Sequence, residues 1–192
     1  APIQVVIIPI SRNEEQEKMV RDYLAPIVEF LESAGVRVHQ DWTDNSPGFK
    51  FNEWEMKGVP LRLEVGPRDV KNGNMVVARR DTGDKSFLSK DEAVAQIPDL
   101  LEEIQKGLFQ QALIFQQENT HKVSTYDELK KVIKEGGFVR CGWDGTDETE
   151  ARVKEDIKAT IRCIPMSENP EGLTCVYSGK PAKHEVIYAK AY

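Results

Sequence analysis

This sequence has few cysteines, and they are not arranged as a disulfide framework would need. The three cysteines, Cys141, Cys163 and Cys175, are an odd number, and none forms a Cys-x-x-Cys pair. Small secreted domains usually carry an even number of closely spaced cysteines, whereas scattered thiols are typical of a reducing compartment. We therefore expect a cytoplasmic protein, and we expect Cys163 to be buried as a small apolar residue.

Long apolar runs, a positive net charge and a glycine-rich phosphate loop are also missing. No apolar run approaches the roughly 20 residues of a membrane-spanning helix, so no membrane partner is expected. No basic stretch followed by an apolar core marks a signal peptide. Because Ala1-Pro2 leads almost at once into a strand-like segment, the chain reads as a piece of something longer. The net charge of −6 argues against general coating of nucleic acid.

One segment departs from this acidic balance. Residues 57–90 contain eight Lys or Arg and four Asp or Glu, a net charge of +4, which leaves −10 for the remainder. A basic island on an acidic protein indicates a local anionic partner. The composition is otherwise that of a globular protein, with 40% hydrophobic and 30% charged residues. A chain of this length can bury a core in one large domain or two small ones.

The pattern of apolar residues in the first part of the chain predicts alternating strands and helices. A nearly continuous apolar run is typical of a strand buried on both faces, and apolar residues three or four positions apart indicate a helix with one buried side. The predicted strands cover residues 4–10, 36–42, 61–65 and 74–80. The predicted helices begin after residue 11, at residue 49 and at residue 89, and the last continues to about residue 118. This order predicts an α/β fold, with helices covering a mixed, mostly parallel sheet that has an antiparallel edge.

Local signals mark where the predicted elements begin and end. Capping-box patterns, in which two side chains satisfy the first backbone N–H groups of a helix, occur at Ser11 with Glu14, Ser89 with Glu92, and Thr125 with Glu128. Pro26 should kink or divide the first helix, since it lacks an N–H and its ring clashes with the preceding turn. Asn72-Gly73 predicts a hairpin turn before the fourth strand.

A second unit follows the long helix. Its pattern predicts helices over residues 126–136 and 148–158, and short strand-like pieces over residues 174–177 and 186–189. These elements predict a small α+β domain over residues 109–192, after a first domain over residues 1–108.

The most informative segment is residues 54–70, WEMKGVPLRLEVGPRDV. Apolar residues alternate with Arg62 and Glu64, and this period of two residues is typical of a half-buried strand. The Gly-Pro pair that follows predicts a turn, which sets Arg68 and Asp69 at the strand's end, where loops often carry function. The alternative is a solvated sheet edge whose charges only pair with one another.

Together with residues 47–51 (PGFKF), this segment resembles the C-terminal half of prolyl-tRNA synthetase, a class II enzyme, in its archaeal and eukaryotic type. Three further segments fit the same family: residues 123–126 (VSTY), 159–165 (ATIRCIP) and 189–192 (AKAY). Separated motifs in the right order are far more specific than one motif, and the resemblance covers the whole chain. It implies an anticodon-binding domain followed by a small C-terminal domain that often holds zinc.

The resemblance implies that side chains of the first domain read the two guanines of the proline anticodon. The implied positions are Glu55, Arg62, Arg68, Asp69 and, from the loop after the hairpin, Lys85. Guanine N7 and O6 accept from Arg or Lys, and its N1 and N2 donors suit a carboxylate. The alternative is surface salt bridging of Arg62 with Glu64 and of Arg68 with Asp69.

Three aromatic residues near this motif, Phe49, Phe51 and Trp54, have side chains of the kind that stack on unpaired bases. We instead expect at least two of them to pack the short helix against the sheet, since large aromatic side chains dominate cores.

The resemblance also raises the question of zinc, because relatives with zinc use two pairs of cysteines. In this chain Cys141 stands at the first position, but its partner position falls on Thr146, and the second pair reads Cys175 and Ser178. A structural zinc site normally needs four ligands, so zinc is not expected. A rebuilt site from Cys141, Cys175 and His184 is the alternative. Without a metal, we expect an Asp-Gly turn and the ring of a nearby Trp to order the loop after Cys141.

The parent reaction that the resemblance implies is ATP-dependent attachment of proline to tRNA(Pro), with magnesium. Its catalytic segment is not recognisable here, so this chain alone is expected to be inactive and to need no cofactor. The implied partners are tRNA(Pro) and the rest of the synthetase chain. Family members are dimers through the catalytic part, so this chain could be a monomer. In the family the carboxylate of a terminal tyrosine, here Tyr192, is directed toward the active site.

Two other functions remain open at this point. One is a non-enzymatic RNA-binding or scaffold protein derived from a synthetase tail. The other is an unrelated α/β nucleotide enzyme, against which the order of the motifs argues.

Overall fold

The computed structural model describes residues 1–190, which divide into two compact units. The first unit is Ala1–Gln110, and the second begins at Gln111. Each has its own cluster of buried apolar side chains. Within the described residues 1–190, no helix is long and apolar enough to cross a lipid bilayer.

The first unit alternates strands and helices as its pattern predicts. Its elements are β1 (Val5–Pro9), α1 (Glu14–Ser33), β2 (Val38–Gln40), α2 (Pro47–Met56), β3 (Leu61–Val65), α3 (Pro67–Asn72), β4 (Asn74–Arg79) and β5 (Lys85–Ser89). Helix α4 (Lys90–Glu118) begins in this unit and continues beyond residue 110.

The five strands form one mixed sheet in the order β2-β1-β3-β4-β5. Strand β1 pairs in parallel with β2 and β3, whereas β4 is antiparallel to both β3 and β5. All five residues of β1 are buried, as a strand covered on both faces should be. The predicted α/β fold, a mixed sheet with an antiparallel edge and covering helices, is confirmed, but the sheet is not mostly parallel, since two of its four strand pairings are antiparallel.

The two faces of this sheet are covered by different elements. On one face, apolar residues of β1, β3 and β4 pack in a large cluster with α1 and α4. On the other face, Val6 and Ile8 of β1 pack with Trp54 of α2 and with Val59. Helix α2 thereby lies over β1, next to the part of β3 that carries the candidate residues.

Several local expectations need correction. The cap of α1 is Asn13, whose side chain accepts from the Gln16 N–H, and not Ser11. Helix α1 runs without interruption through Pro26, so this proline does not divide it. Strand β2 covers only three residues of the predicted seven. The Gly-Pro pair at residues 66–67 does not make a simple turn: it starts α3, since proline without an N–H suits the first helical turn.

In the first unit the pattern predicted neither α3, where a hairpin turn at Asn72-Gly73 was expected, nor strand β5. Residues Lys85, Ser86 and Phe87 of β5 are all exposed. This part of the strand therefore has no buried side that would require apolar residues to alternate with polar ones. Lys85 therefore lies on an edge strand and not in a loop after a hairpin. The capping box that follows is confirmed: the Ser89 hydroxyl donates to Glu92 at 2.7 Å, and the Glu92 N–H donates back to that hydroxyl.

The second unit is a small α+β domain. Its elements are β6 (Thr120–Lys122), α5 (Tyr126–Glu135), β7 (Phe138–Trp143), α6 (Asp147–Ile157), β8 (Ala159–Cys163) and β9 (His184–Lys190). The strands form a sheet in the order β6-β7-β9-β8. The predicted capping box of Thr125 and Glu128 starts α5.

The second unit departs from expectation in its strands and at Cys163, since the pattern predicted none of β6, β7 and β8. Cys163 is exposed and not buried, because it ends the edge strand β8 beyond an irregularity in the pairing with β9. Residues 174–177 form no named strand, only single bridges between Gly142 and Cys175 and between Thr174 and Pro181. The expectation for Tyr192 falls outside the described residues.

A glycine is required where the segment at residue 174 approaches β7. A Cβ at Gly142 would overlap the Thr174 carbonyl oxygen and would lie 2.9 Å from the Ala182 Cβ. The missing side chain therefore lets this loop bridge directly to the backbone of the strand.

Candidate nucleic-acid interface

The structure brings three of the five candidate residues together. Glu55, near the end of α2, lines one pocket with Arg62 of β3 and Lys85 of β5. The exposed Arg80 lines the same pocket, although the motif did not single it out. Glu55 and Lys85 are both exposed, which leaves an acidic group and several cations open to a ligand.

Glu64 organises this group, and sequence reasoning assigned it no role in binding. The Arg62 Nε donates to Glu64 Oε1 at 3.1 Å, and the Lys85 Nζ donates to the same oxygen at 2.9 Å. The Glu64 side chain is only 11% exposed. The alternation over β3 could have indicated that Glu64 lies beside Arg62, because residues two apart share a face of a strand.

The pairing of Arg62 with Glu64 was offered as an alternative to RNA recognition, and it does form. It uses the Nε of Arg62, and among residues 1–190 no hydrogen bond is made by its two Nη groups. A guanidinium can present those two nitrogens as a planar fork to one ligand edge. The ion pair therefore orients Arg62 while its fork stays available.

Phe51 supports the same two cations from α2. The Arg62 guanidinium lies 4.3 Å from the centroid of the Phe51 ring, and the Lys85 Nζ lies 5.4 Å from it. Phe51 and Trp54 both pack against the apolar cluster under α2, whereas Phe49 is exposed. The expectation that at least two of these aromatics pack the helix against the sheet is confirmed.

Arg68 and Asp69 lie apart from the pocket, in the first turn of α3. The Asp69 Oδ2 accepts from the Gly66 N–H at 2.8 Å and so caps this short helix. The alternative of a salt bridge between Arg68 and Asp69 is not seen. Arg68 is exposed and makes no ion pair with any described residue. The structure thus gives two sites along β3, one at Arg62 and one just past the end of the strand.

A buried polar cluster holds α2, and with it Glu55, against the sheet. The Trp54 Nε1 donates to Asp41 Oδ2 at 2.7 Å, and the buried Lys50 Nζ donates to the Asp41 carbonyl oxygen at 3.0 Å. Burial by itself would raise the pKa of Asp41, but hydrogen bonds from Thr43 and Trp54, with the charge of Lys50, outweigh it and lower that pKa. Asp41 is therefore charged in the protein interior, where its carboxylate holds Trp54 and Lys50 of α2.

The residues of the second unit do not fit a structural zinc site. Cys141 and Cys175 are buried near each other, and burial is the main cause that raises the pKa of Cys141 to about 12. At the two other ligand positions, the hydroxyls of Thr146 and Ser178 both donate to the carboxylate of Asp144, at 2.8 and 2.6 Å. Hydroxyls that serve a carboxylate do not replace thiolates as zinc ligands.

The alternative rebuilt site is not assembled either. His184 Nδ1 lies 3.2 Å from Glu168 Oε2 and so has a carboxylate partner of its own. Within the described part of the chain, no three His, Cys, Asp or Glu residues are grouped as they would be around a metal ion.

Comparison with known proteins agrees with the division into two units. A family model described as "Anticodon binding domain" matches residues 4–100. A second, described as "Prolyl-tRNA synthetase, C-terminal", matches residues 126–192.

Curated relatives match the whole chain. The proline–tRNA ligase of Porphyromonas gingivalis is 45% identical over all of this chain, which covers 39% of that relative. The proline–tRNA ligase of Phocaeicola vulgatus is 46% identical over all of this chain, which covers 40% of that relative. The proline–tRNA ligase of Chloroherpeton thalassium is 48% identical over 98% of this chain, and the match covers 40% of that relative. The chain thus spans about 40% of the length of these relatives.

Proposed function

Because this chain belongs to the prolyl-tRNA synthetase family, with an anticodon-binding domain and the family's C-terminal domain, we propose that its first unit reads the anticodon of tRNA(Pro). The observation that carries the proposal is the arrangement around Glu64. One buried carboxylate orients Arg62 and Lys85 beside the exposed Glu55, in the basic part of an acidic protein.

The chemistry of guanine fits this arrangement. The Nη fork of Arg62 and the ammonium of Lys85 offer donors for O6 and N7, and the carboxylate of Glu55 offers an acceptor for N1–H and N2–H. Arg68 and Asp69 repeat the combination of a donor and an acceptor at the other site along β3. The unpaired bases of an anticodon loop expose all these edges, so two guanines can be read by two such sites.

Removing one of the arginines proposed to contact a base should weaken RNA binding and reduce discrimination at one base. We expect Arg62→Ala and Arg68→Ala each to cost about 1–3 kcal/mol in binding an RNA hairpin with the anticodon loop of tRNA(Pro). Each variant should lose its preference for guanine over adenine at a different one of the two positions. Fluorescence anisotropy with the wild-type hairpin and with two hairpins, each carrying one guanine-to-adenine change, measures both effects.

Arg152→Ala is the matched control, because this exposed arginine of α6 lies in the other unit. It should change the affinity for all three hairpins little. Repeating the titrations at two salt concentrations separates base contacts from phosphate contacts, which weaken steeply with salt. An equal loss for all three hairpins in Arg62→Ala and Arg68→Ala would contradict base reading at these residues.

For the whole protein we propose ATP-dependent ligation of proline to tRNA(Pro), with ATP and magnesium bound in the part of the parent that this chain does not span. The chain alone should then bind tRNA without activating proline, and no ATP–pyrophosphate exchange above background is expected from it. We also propose a homodimeric parent in the cytoplasm; the unpaired thiols of this chain suit a reducing compartment.

A further inference from the structure

Phe87 is an exposed aromatic residue on the sheet face that carries the candidate readers. The residue is 71% exposed, although phenylalanine is usually buried. It pairs with Val76 of β4, which in turn pairs with Glu64 of β3. Directly opposed residues point to the same face of a sheet, so Phe87 shares the face of Glu64 and Arg62.

The register places Phe87 next to the row of Arg62 and Lys85, on the side toward the end of β3. One row across the sheet runs from Arg62 through Ala78 to Lys85, and the next row ends at Phe87. Successive rows on one face are about 6.6 Å apart, since a strand rises about 3.3 Å per residue. Beyond the Phe87 row, β3 ends and α3 begins with Arg68 in its first turn. Phe87 therefore lies beside the cations Arg62 and Lys85, whereas Arg68 belongs to α3, whose Val70 packs against the apolar cluster on the other face of the sheet.

We propose that Phe87 is a stacking surface for one base of the anticodon loop, an inference that rests on the proposed function. Single-stranded RNA is bound by cations that follow its backbone and by exposed aromatics on which bases stack. The cations in the neighbouring row suit the charge of RNA, and stacking on the ring does not require a particular base. Phe87 thus holds the loop flat on the sheet while the neighbouring polar groups read base edges.

Substitution of Phe87 tests this role directly. Alanine substitution of a stacking aromatic typically costs about 5- to 150-fold in affinity, and we expect Phe87→Ala to fall in this range for the tRNA(Pro) hairpin. Phe87→Tyr should bind like the wild type, and Phe87→Leu should bind like the alanine variant although it stays apolar. Phe109→Ala is the matched control, since Phe109 of α4 is 64% exposed.

A spectroscopic readout separates stacking from a general loss of affinity. With 2-aminopurine placed at each loop position in turn, the wild type and Phe87→Tyr should quench the emission at one position, and Phe87→Leu at saturation should not. If the wild type prefers the proline anticodon but Phe87→Ala binds within twofold of it, the stacking role is wrong while the proposed function stands. If the wild type shows no anticodon preference, the proposed function itself fails.

A different observation, in the second unit, carries a second inference. The carboxylate of Asp144 accepts from the hydroxyls of Thr146, Thr149 and Ser178 at 2.8, 2.9 and 2.6 Å. The Thr146 N–H also donates to it, so the expected turn at Asp144 is present. One side chain therefore joins the start of α6 to the segment that follows Cys175.

We infer that Asp144 ties these two segments together in place of the metal that zinc-bearing relatives use. Thr146 and Ser178 stand where the resemblance places two of the four cysteines, and both converge on this one carboxylate. The remaining two positions are the buried Cys141 and Cys175. A metal and its thiolates are thus exchanged for a carboxylate and its hydroxyl donors.

The exchange should be reversible by design. Asp144→Asn should lower the melting temperature, and added zinc should not restore it. In the variant that combines Asp144→Asn with Thr146→Cys and Ser178→Cys, zinc should restore the melting temperature and remain bound at one ion per chain by metal analysis. Asp147→Asn, an exposed aspartate in the same helix start, is the control and should melt like the wild type.

Two results would overturn this inference. An Asp144→Asn variant that melts like the wild type would show that the carboxylate does not hold the segments. A folded triple variant that neither binds zinc nor gains stability from it would show that the carboxylate does not stand in the place of the metal.

Discussion

Asp41→Ala should lower the free energy of unfolding by about 3–5 kcal/mol, the usual cost of removing one partner from a buried ion pair. Asp41 is 3% exposed, and its carboxylate lies 3.7 Å from the Nζ of the equally buried Lys50. The substitution leaves that ammonium and the Trp54 N–H without their carboxylate partner in the protein interior. Urea unfolding followed by tryptophan fluorescence measures the change, since Trp54 itself lies in the cluster.

Two further variants show whether the loss comes from the cluster. Asp44→Ala removes an exposed aspartate from the same loop and should be within about 0.5 kcal/mol of the wild type. Adding Lys50→Met to Asp41→Ala should recover part of the loss, because the unpaired charge is then gone. Equal stabilities of Asp41→Ala and Asp44→Ala would show that the buried pair contributes nothing.

Asp41→Ala should also affect the candidate RNA site, because Asp41 holds helix α2 in place. Trp54 and Glu55 are neighbours on that helix, so a Trp54 side chain that is held less firmly leaves the position of Glu55 less well defined. Arg62 is held separately by β3. We therefore expect Asp41→Ala, under conditions where it is folded, to discriminate less well at the guanine that Glu55 is proposed to contact. The control Asp44→Ala should discriminate as the wild type does.

The contribution of Asp144 to stability should disappear in acid. Burial alone would raise the pKa of Asp144, but hydrogen bonds from Ser178, Thr146 and Thr149 outweigh it and lower that pKa from 3.8 to about 2. A depressed pKa in the folded state means that the stabilisation is present above pH 4 and is lost as the pH falls through about 2. A shift of this size corresponds to about 2 kcal/mol.

The measurement is the difference in unfolding free energy between the wild type and Asp144→Asn as a function of pH. This difference should be about 2 kcal/mol at pH 6 and should approach a small constant value near pH 2. The nearby Tyr188 has a pKa that is raised mainly by burial, so it stays neutral throughout this range. A difference that does not change with pH would contradict a role for the carboxylate charge.

Local patterns predicted the elements whose signals are complete within a few residues. The alternation at residues 61–65 gave β3 with its observed bounds, and the capping boxes of Ser89 and Thr125 start α4 and α5. Strand β5 was missed because pairing with β4 on one side, and not burial, makes it a strand. Cys163 was misjudged because its burial depends on which strand lies at the edge of the sheet.

The sequence alone determined the family and the identities of the candidate readers, since separated motifs and residue types are visible along the chain. Only the tertiary structure decided which of those residues meet. It joined Lys85 to Arg62 through Glu64, placed Phe87 on their face of the sheet in the next row and brought Ser178 to Asp144. The physical reason is that sheet register and loop contacts pair residues far apart in the chain, and hydrophobic periodicity carries no information about such partners.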